Sequence, residues 1–130
     1  MASVLIIDDS SFQRRMIRSI LKQAGHRTAE AGDGAAGLEA LGRELPDLVL
    51  CDLLMDGVGG LEFLAAVRDR ELAVPVIIIT ADIQDSVHEQ CRELGARAIV
   101  AKPPKRDQLL EAVAGVLARR PRRTRRKSRN

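Results

Sequence analysis

Five short strand-like runs alternate with segments of helical periodicity along the first 118 residues, at positions 4–7, 27–31, 48–51, 76–79 and 98–101, and all but the second are apolar. Between them, apolar side chains recur three and four residues apart, as at Ile17, Ile20 and Leu21, which indicates helices packed on one face. Alternating strands and helices are typical of a parallel sheet covered by helices on both sides. We therefore predict an α/β fold with five βα units.

The composition of the runs indicates their order in the sheet. The first, third and fourth runs are almost purely apolar, as strands buried on both faces should be. The second run mixes Arg27, Thr28 and Glu30 with alanines, and the fifth is short, so both suit an edge. These features favour a flavodoxin-like, doubly wound (βα)5 sheet with strand order 2-1-3-4-5.

Charge divides the chain into two parts. Residues 119–130 carry eight of the 21 basic side chains and none of the 18 acidic ones, so 13 basic and 18 acidic residues remain before them. We predict a domain over residues 1–118 with a net charge of about −5, followed by a basic, disordered tail of about +8. The tail is either an electrostatic anchor for nucleic acid or another anionic surface, or a solvated extension.

The remaining composition points to the cytoplasm. The sequence shows no secretory signal, and no apolar stretch approaches the roughly 20 residues that span a bilayer. Cys51 and Cys91 have no metal-binding or redox spacing, which favours reduced, buried thiols.

Reactive side chains follow each of the four apolar runs. Asp8 and Asp9 follow the first run, Asp52 the third, Thr80 the fourth and Lys102 the fifth. Because the carboxyl ends of parallel strands meet at one edge, where ligands bind in such sheets, we expect these groups to lie together. Each also has a plainer interpretation, as a helix cap, a turn residue or a solvated lysine.

Three adjacent carboxylates repel one another, by roughly 4 kcal/mol per pair at about 4 Å and an effective dielectric constant near 20. Protonation of one carboxyl or a bound cation would offset that repulsion, and an open site of oxygen ligands suits Mg²⁺. With a lysine and a hydroxyl added, the set can position and stabilise a phosphoryl group. Asp52 then serves as the nucleophile that forms an acyl phosphate, and the adjacent Asp8 and Asp9 serve as the metal pair.

Residues 3 to about 118 resemble the receiver domains of two-component response regulators, in particular the single-domain, chemotaxis-regulator-like ones. The resemblance is carried by Asp8-Asp9, Asp52, Met55, Gly60, Thr80-Ala81 and Lys102-Pro103. It implies that a histidine kinase or histidine phosphotransfer protein donates a phosphoryl group to Asp52. It also implies Mg²⁺ bound by the three aspartates and the Leu54 carbonyl, a cis Lys102–Pro103 bond, Lys102 on the phosphoryl group and a Thr80 that moves towards it.

The same resemblance implies a signalling protein rather than an enzyme, acting through contact with a downstream protein. Ser11, Phe12 and Arg15, on the first helix, would then help to dock the phosphodonor, with Arg14 and Arg18 nearby. Phe12 fits the apolar helix face equally well, and the arginines fit solvated charge.

Two positions depart from the family pattern. The switch position three residues before the lysine is usually aromatic, and here it is Ile99. Met55 is usually followed by proline, and here Asp56 follows. The conventional coupling between Thr80 and position 99 is therefore in question.

Two other functions stay open. A Mg²⁺-dependent phosphohydrolase with an aspartyl nucleophile uses similar groups, although 118 residues leave no room for a cap domain. A binding module that ignores phosphorylation and relies on its basic tail would need none of the site.

Overall fold

The computed structural model describes residues 1–119. In chain order the elements are β1 (Ser3–Ile7), α1 (Ser11–Gln23), β2 (Arg27–Ala31), α2 (Gly34–Arg43), β3 (Leu48–Asp52), α3 (Gly60–Asp69), β4 (Val76–Thr80), α4 (Asp85–Glu93), β5 (Ala98–Ala101) and α5 (Arg106–Arg119). The predicted alternation is confirmed. Apart from Arg119, which ends α5, the predicted basic tail lies outside the described residues.

All five strands are parallel and lie in the order β2-β1-β3-β4-β5, so the predicted fold class is confirmed. Every residue of β3 and β4 is buried, whereas β2 and β5 bury one residue each. The central strands are apolar up to their last residues, Asp52 and Thr80, because helices cover both of their faces. The edge strands have fewer neighbours and can carry polar residues.

Alternate residues of the strands build two separate cores. Val4, Ile6 and Leu50 face α1 and α5, where they pack with Ile17 and Leu109 among others. The residues between them face α2, α3 and α4, in a core that includes Leu5, Ile7, Val49, Cys51 and the fully buried Phe63. With aromatic residues at 2% of the chain, aliphatic packing supplies nearly all of this burial.

Helix α1 begins immediately after the acidic pair. Ser10 is its N-cap, and the Ser10 hydroxyl accepts a hydrogen bond from the Gln13 amide at 3.2 Å. Phe12, in the first turn, is 61% exposed, so the interpretation of Phe12 as a core residue is wrong. Thr80 is not the cap of α4, because that role falls to Gln84.

The connection between β3 and α3 folds tightly onto the end of β3. The Gly60 amide donates to the Leu53 carbonyl at 2.8 Å. A Cβ atom at Gly60 would lie 2.9 Å from the Asp52 carbonyl oxygen and 2.8 Å from the Leu53 Cα, so only glycine fits without a shift of backbone. The loop is thereby held against the residue that ends the central strand.

Among residues 1–119, no helix combines the length and the apolar character that crossing a membrane requires.

Candidate functional site

The structure brings three carboxylates together at the carboxyl edge of the sheet. Asp8 and Asp9 follow β1, and Asp52 is the last residue of the neighbouring strand β3. Asp8 and Asp52 are 2% and 5% exposed, while Asp9 is open to solvent. One oxygen from each carboxylate lies within 4.8 Å of the others. This is the cluster predicted from the strand ends.

Lys102 reaches this cluster from the end of β5. Its Nζ donates to Asp52 Oδ2 at 3.0 Å and lies 3.6 Å from Asp8 Oδ2. Its backbone amide donates to the Thr80 carbonyl at 3.0 Å, which ties the segment after β5 to the end of β4. The Lys102–Pro103 peptide bond is cis, as predicted.

The electrostatics of Asp52 are unbalanced in favour of the protonated form. Burial is the largest cause and raises the pKa of Asp52, the hydrogen bond from Lys102 opposes it, and the charge of Asp8 adds to the rise. For Lys102, burial lowers the pKa, but the hydrogen bond and charge of Asp52 outweigh it, so the net shift is upward. One ammonium therefore does not fully offset the burial of Asp52 and its repulsion by Asp8.

Thr80 is buried at the end of β4, and its side chain is bonded within its own loop. Thr80 Oγ1 accepts a hydrogen bond from the Asp82 amide at 3.0 Å, and the Asp82 carbonyl lies 2.7 Å from His88 Nε2. A hydroxyl that accepts one bond still has its proton to donate. Thr80 can therefore serve as a donor to an anion at this edge.

The other predicted residues lie on the segments that follow or flank these strand ends. Leu54 follows Asp52 by two residues, and its side chain is exposed. Ile99, on β5, is half-buried and packs against the core beneath α2, α3 and α4. Ser11, Phe12 and Arg15 are all exposed at the start of α1. The roles assigned to these residues stay predictions.

The thiol beside Asp52 takes no part in this polar cluster. Cys51 is buried and free, as expected, and its Sγ lies 3.4 Å from the Asp52 carbonyl oxygen. Burial, helped by the charges of Asp52 and Asp8, raises the pKa of the Cys51 thiol. Cys51 is therefore a neutral packing residue.

One contact was missed by the reasoning from sequence. Arg14, grouped there with the surface arginines, donates from Nη1 to the Asp8 carbonyl oxygen at 2.6 Å. The signal that could have found it is Glu30, an acid in the edge strand on the side of the sheet that faces α1.

The donor atoms of the acidic cluster fit Mg²⁺. All three are carboxylate oxygens, two are buried and fixed, and Asp9 keeps the cluster open to water. Mg²⁺ prefers such hard oxygen ligands and retains several waters. The raised pKa of Asp52 is a second sign of fit, because burial and then the charge of Asp8 disfavour its carboxylate, and a bound cation would favour it.

Comparison with known proteins agrees with this geometry. The profile of the family described as response regulator receiver domain matches residues 4–114. Protein PilH of Pseudomonas aeruginosa is 34% identical over 120 residues, which cover 91% of this chain and 99% of PilH. Sporulation initiation phosphotransferase F of Bacillus subtilis is 33% identical over 110 residues, which cover 85% of this chain and 89% of that protein.

A solved structure agrees with the fold. The chemotaxis protein CheY4 of Vibrio cholerae superposes with a TM-score of 0.84 at 29% identity, covering 89% of this chain and 98% of that one.

Proposed function

The chain belongs to the response regulator receiver domain family and has that family's phosphoacceptor role in two-component signalling, and on this premise we propose that Asp52 is the phosphoacceptor. The observation that supports this choice most is the position of its carboxylate. Asp52 is buried at the end of a central strand, with one oxygen 3.0 Å from Lys102 Nζ. Asp8 and Asp9 lie beside it, adjacent in sequence, as a metal pair would.

The proposed step is attack of an Asp52 oxygen on the phosphorus of a phosphohistidine. An O–P bond forms, the N–P bond breaks, and its electron pair returns to the histidine nitrogen, which then takes up a proton. The product is an acyl phosphate on Asp52. Later attack by water on that phosphorus breaks its bond to the Asp52 oxygen, releases inorganic phosphate and restores the carboxylate. We assign the chain no turnover of an external substrate, only these two reactions of its own side chain.

Receiver domains generally bind Mg²⁺ at an acidic pocket, and Asp8, Asp9 and Asp52 are the residues proposed to hold it here, with the Leu54 carbonyl as a fourth ligand. When bound, the cation supplies positive charge that offsets the repulsion between a phosphoryl group and the carboxylates. Asp8 contributes a carboxylate that is already fixed, since its Oδ1 accepts from the Ser10 amide at 2.8 Å.

Lys102 and Thr80 act on the phosphoryl oxygens. The Lys102 ammonium, already within 3.6 Å of both buried aspartates, stays close enough to pair with a phosphoryl oxygen on Asp52. The Thr80 hydroxyl donates to another oxygen after the 80–82 loop shifts. That shift is the event proposed to carry the signal, with Ile99 repacking in place of an aromatic residue.

Receiver domains work with histidine kinases and phosphotransfer proteins. We propose that such a donor docks on the exposed start of α1, through Ser11, Phe12 and Arg15. The output is contact with a downstream protein, and the basic residues 119–130 add a non-specific anionic partner. Two free cysteines fit a reducing compartment, so we place the protein in the cytoplasm.

Intact mass spectrometry after incubation with Mg²⁺ and a small acyl phosphate tests the assignment. The wild type should gain one phosphoryl group of about 80 Da. Asp52→Asn should gain none. Asp56→Asn, which removes an aspartate from the loop just beyond the site, should gain as much as the wild type and is the matched control.

The other outcomes separate the alternatives. Phosphorylation of Asp52→Asn would place the acceptor elsewhere. Steady release of phosphate from small phosphate esters would favour a phosphohydrolase. No gain of mass in the wild type would favour a binding module that ignores phosphorylation.

A further inference from the structure

Arg14 connects helix α1 to the backbone of the acidic cluster. Its Nη1 donates to the Asp8 carbonyl oxygen at 2.6 Å, and its Nε donates to Glu30 Oε1 at 3.0 Å. The Arg14 side chain is only 19% exposed. An arginine with two charge-assisted bonds and so little exposure is ordered, unlike a solvated surface arginine.

Glu30 fixes the direction of the Arg14 guanidinium. On β2 it pairs with Ile6 of β1, whose side chain lies in the core beneath α1, so Glu30 projects towards the same helix. It also accepts from Arg18, one turn further along α1. Burial raises the pKa of Glu30, but the bonds from Arg18 and Arg14 outweigh it and hold that pKa below its usual value. Glu30 is thus a steady anion.

Both backbone polar groups of Asp8 are hydrogen-bonded. Its amide donates to the Ala31 carbonyl on β2 at 3.2 Å, while its carbonyl accepts from Arg14. The pairing of β1 with β3 ends at Ile7 and Cys51, so the Asp8 carbonyl lies just past that ladder. Arg14 supplies a donor where the sheet no longer does.

We propose that Arg14, oriented by Glu30, is a positioning residue for the metal site. It fixes the peptide between Asp8 and Asp9, and through it the separation of their carboxylates from Asp52. This inference rests on the proposed binding of Mg²⁺. Residues that orient metal ligands from behind contribute to affinity although they never touch the metal.

The sign of the effect separates positioning from simple charge. Loss of a cation near a Mg²⁺ site would strengthen binding of Mg²⁺ if Arg14 acted only through its charge. Loss of a positioning bond would weaken it. Arg14→Gln and Arg18→Gln remove the same charge from two arginines that share Glu30, and only Arg14 contacts the Asp8 carbonyl. Arg18→Gln is therefore the matched control.

The experiment is calorimetric titration of Mg²⁺ into the purified full chain, which contains no Trp or Tyr to report binding by fluorescence. For Arg14→Gln we expect affinity about tenfold weaker than wild type, the size seen when outer-shell partners are removed. Arg18→Gln should stay within about twofold, because its charge lies further from the pocket. Glu30→Gln should fall between the two.

Arg14→Lys keeps the charge but lacks the planar fork needed to bond Asp8 and Glu30 together. It should also weaken Mg²⁺ binding several-fold. Because lysine is the more conservative replacement, this variant keeps the test valid if Arg14→Gln does not fold. Unchanged or tighter binding in both Arg14 variants, with normal binding by the wild type, would overturn the positioning role alone. A wild type that binds no Mg²⁺ would overturn the proposed metal site itself.

Discussion

The two halves of the pocket are held by different kinds of bond. On the acid side, comprising Asp8, Asp9, Asp52 and the loop to Gly60, local bonds are joined by bonds to distant parts of the chain. Asp8 bonds Ala31, and Asp52 bonds Lys102. On the switch side, comprising residues 80–88 and β5, the Thr80 hydroxyl bonds Asp82, and Asp82 bonds His88.

The difference teaches how one site can be both rigid and responsive. Bonds between distant segments fix a residue against the whole sheet, whereas bonds within one loop move with that loop. The residues at the strand ends are buried on both sides, with Asp52 5% and Thr80 4% exposed, but the switch-side loop leaves Ile83 85% exposed. We infer that the acid side supplies fixed geometry for chemistry and the switch side supplies the movement.

The largest expected effect comes from the residue that joins the two sides. Lys102 is anchored to Thr80 through its backbone and to Asp52 through its Nζ. Lys102→Met should slow phosphoryl incorporation at Asp52 about 100-fold or more, as loss of a preorganised cation does. Quantitative intact mass over time measures the rate. Lys105→Met, which changes an exposed lysine three residues further on, is the control. If Lys102→Met slowed phosphoryl incorporation less than threefold, Lys102 would have no essential part in the reaction.

The next largest expected effect is on the free energy of unfolding, which tests how tightly each side is packed. Gly60→Ala places a Cβ 2.9 Å from the Asp52 carbonyl oxygen, so we expect a loss of about 2 kcal/mol in the free energy of unfolding. Ile83→Ser, on the open loop, should change it by less than about 0.5 kcal/mol. Urea unfolding followed by far-UV circular dichroism gives both values.

Gly42→Ala controls for the glycine itself. It lies in α2 with nothing within 4 Å of an added Cβ, so the better helix propensity of alanine should stabilise by about 0.5–1 kcal/mol. If Gly60→Ala were as stable to unfolding as Gly42→Ala, the acid side would be less tightly packed than the contacts of Gly60 indicate.

A crossed pair of variants separates metal binding from switching. Asp9→Asn removes a full charge from the acidic cluster, and we expect it to weaken Mg²⁺ about tenfold, roughly 1.4 kcal/mol. Thr80→Val keeps its shape and should leave Mg²⁺ affinity within about twofold while slowing phosphorylation. Calorimetry and timed mass spectrometry read the two effects. A loss of Mg²⁺ affinity in Thr80→Val would contradict the assignment of metal binding to the acid side alone.

The smallest expected effect is a pH-dependent gain in the stability of Asp52→Asn. In EDTA, Asp52→Asn should be more stable than wild type at pH 7.5, because the raised pKa of Asp52 records a folded state that disfavours the charged carboxylate. The unfolded chain loses this proton near 3.8 and the folded chain at higher pH, so wild-type stability falls as pH rises between the two values.

The advantage of Asp52→Asn should therefore vanish below about pH 3.8 and be complete above the folded pKa. Saturating Mg²⁺ should reverse the ranking, by stabilising the wild type more. Equal stability across the pH range would mean that Lys102 already balances the cluster.

Much of the fold and the cluster could be predicted because they follow from periodicity and topology. The strand order was predicted because β3 and β4, covered on both faces, are apolar up to their last residues, whereas β2 carries Glu30 at an edge. Asp8 and Asp52 meet because both end parallel strands that are neighbours.

What could not be predicted depends on register and on the path of individual side chains. Arg14 meets the Asp8 carbonyl only because Glu30 pairs with Ile6 and so faces α1. Phe12 satisfies the helical spacing but lies beyond the edge of the sheet, so it is exposed. Spacing along one element cannot supply either fact, since each requires the position of a second element.

Because β3 and β4 are completely buried, different parts of the site should open at different frequencies. Amides in such central strands exchange with solvent only when the whole domain opens, while edges open locally and often. Asp52 is the last residue of β3, so we expect its amide to be among the slowly exchanging ones. Lys102 comes from the end of an edge strand, and breathing of β5 can withdraw the ammonium without unfolding the nucleophile.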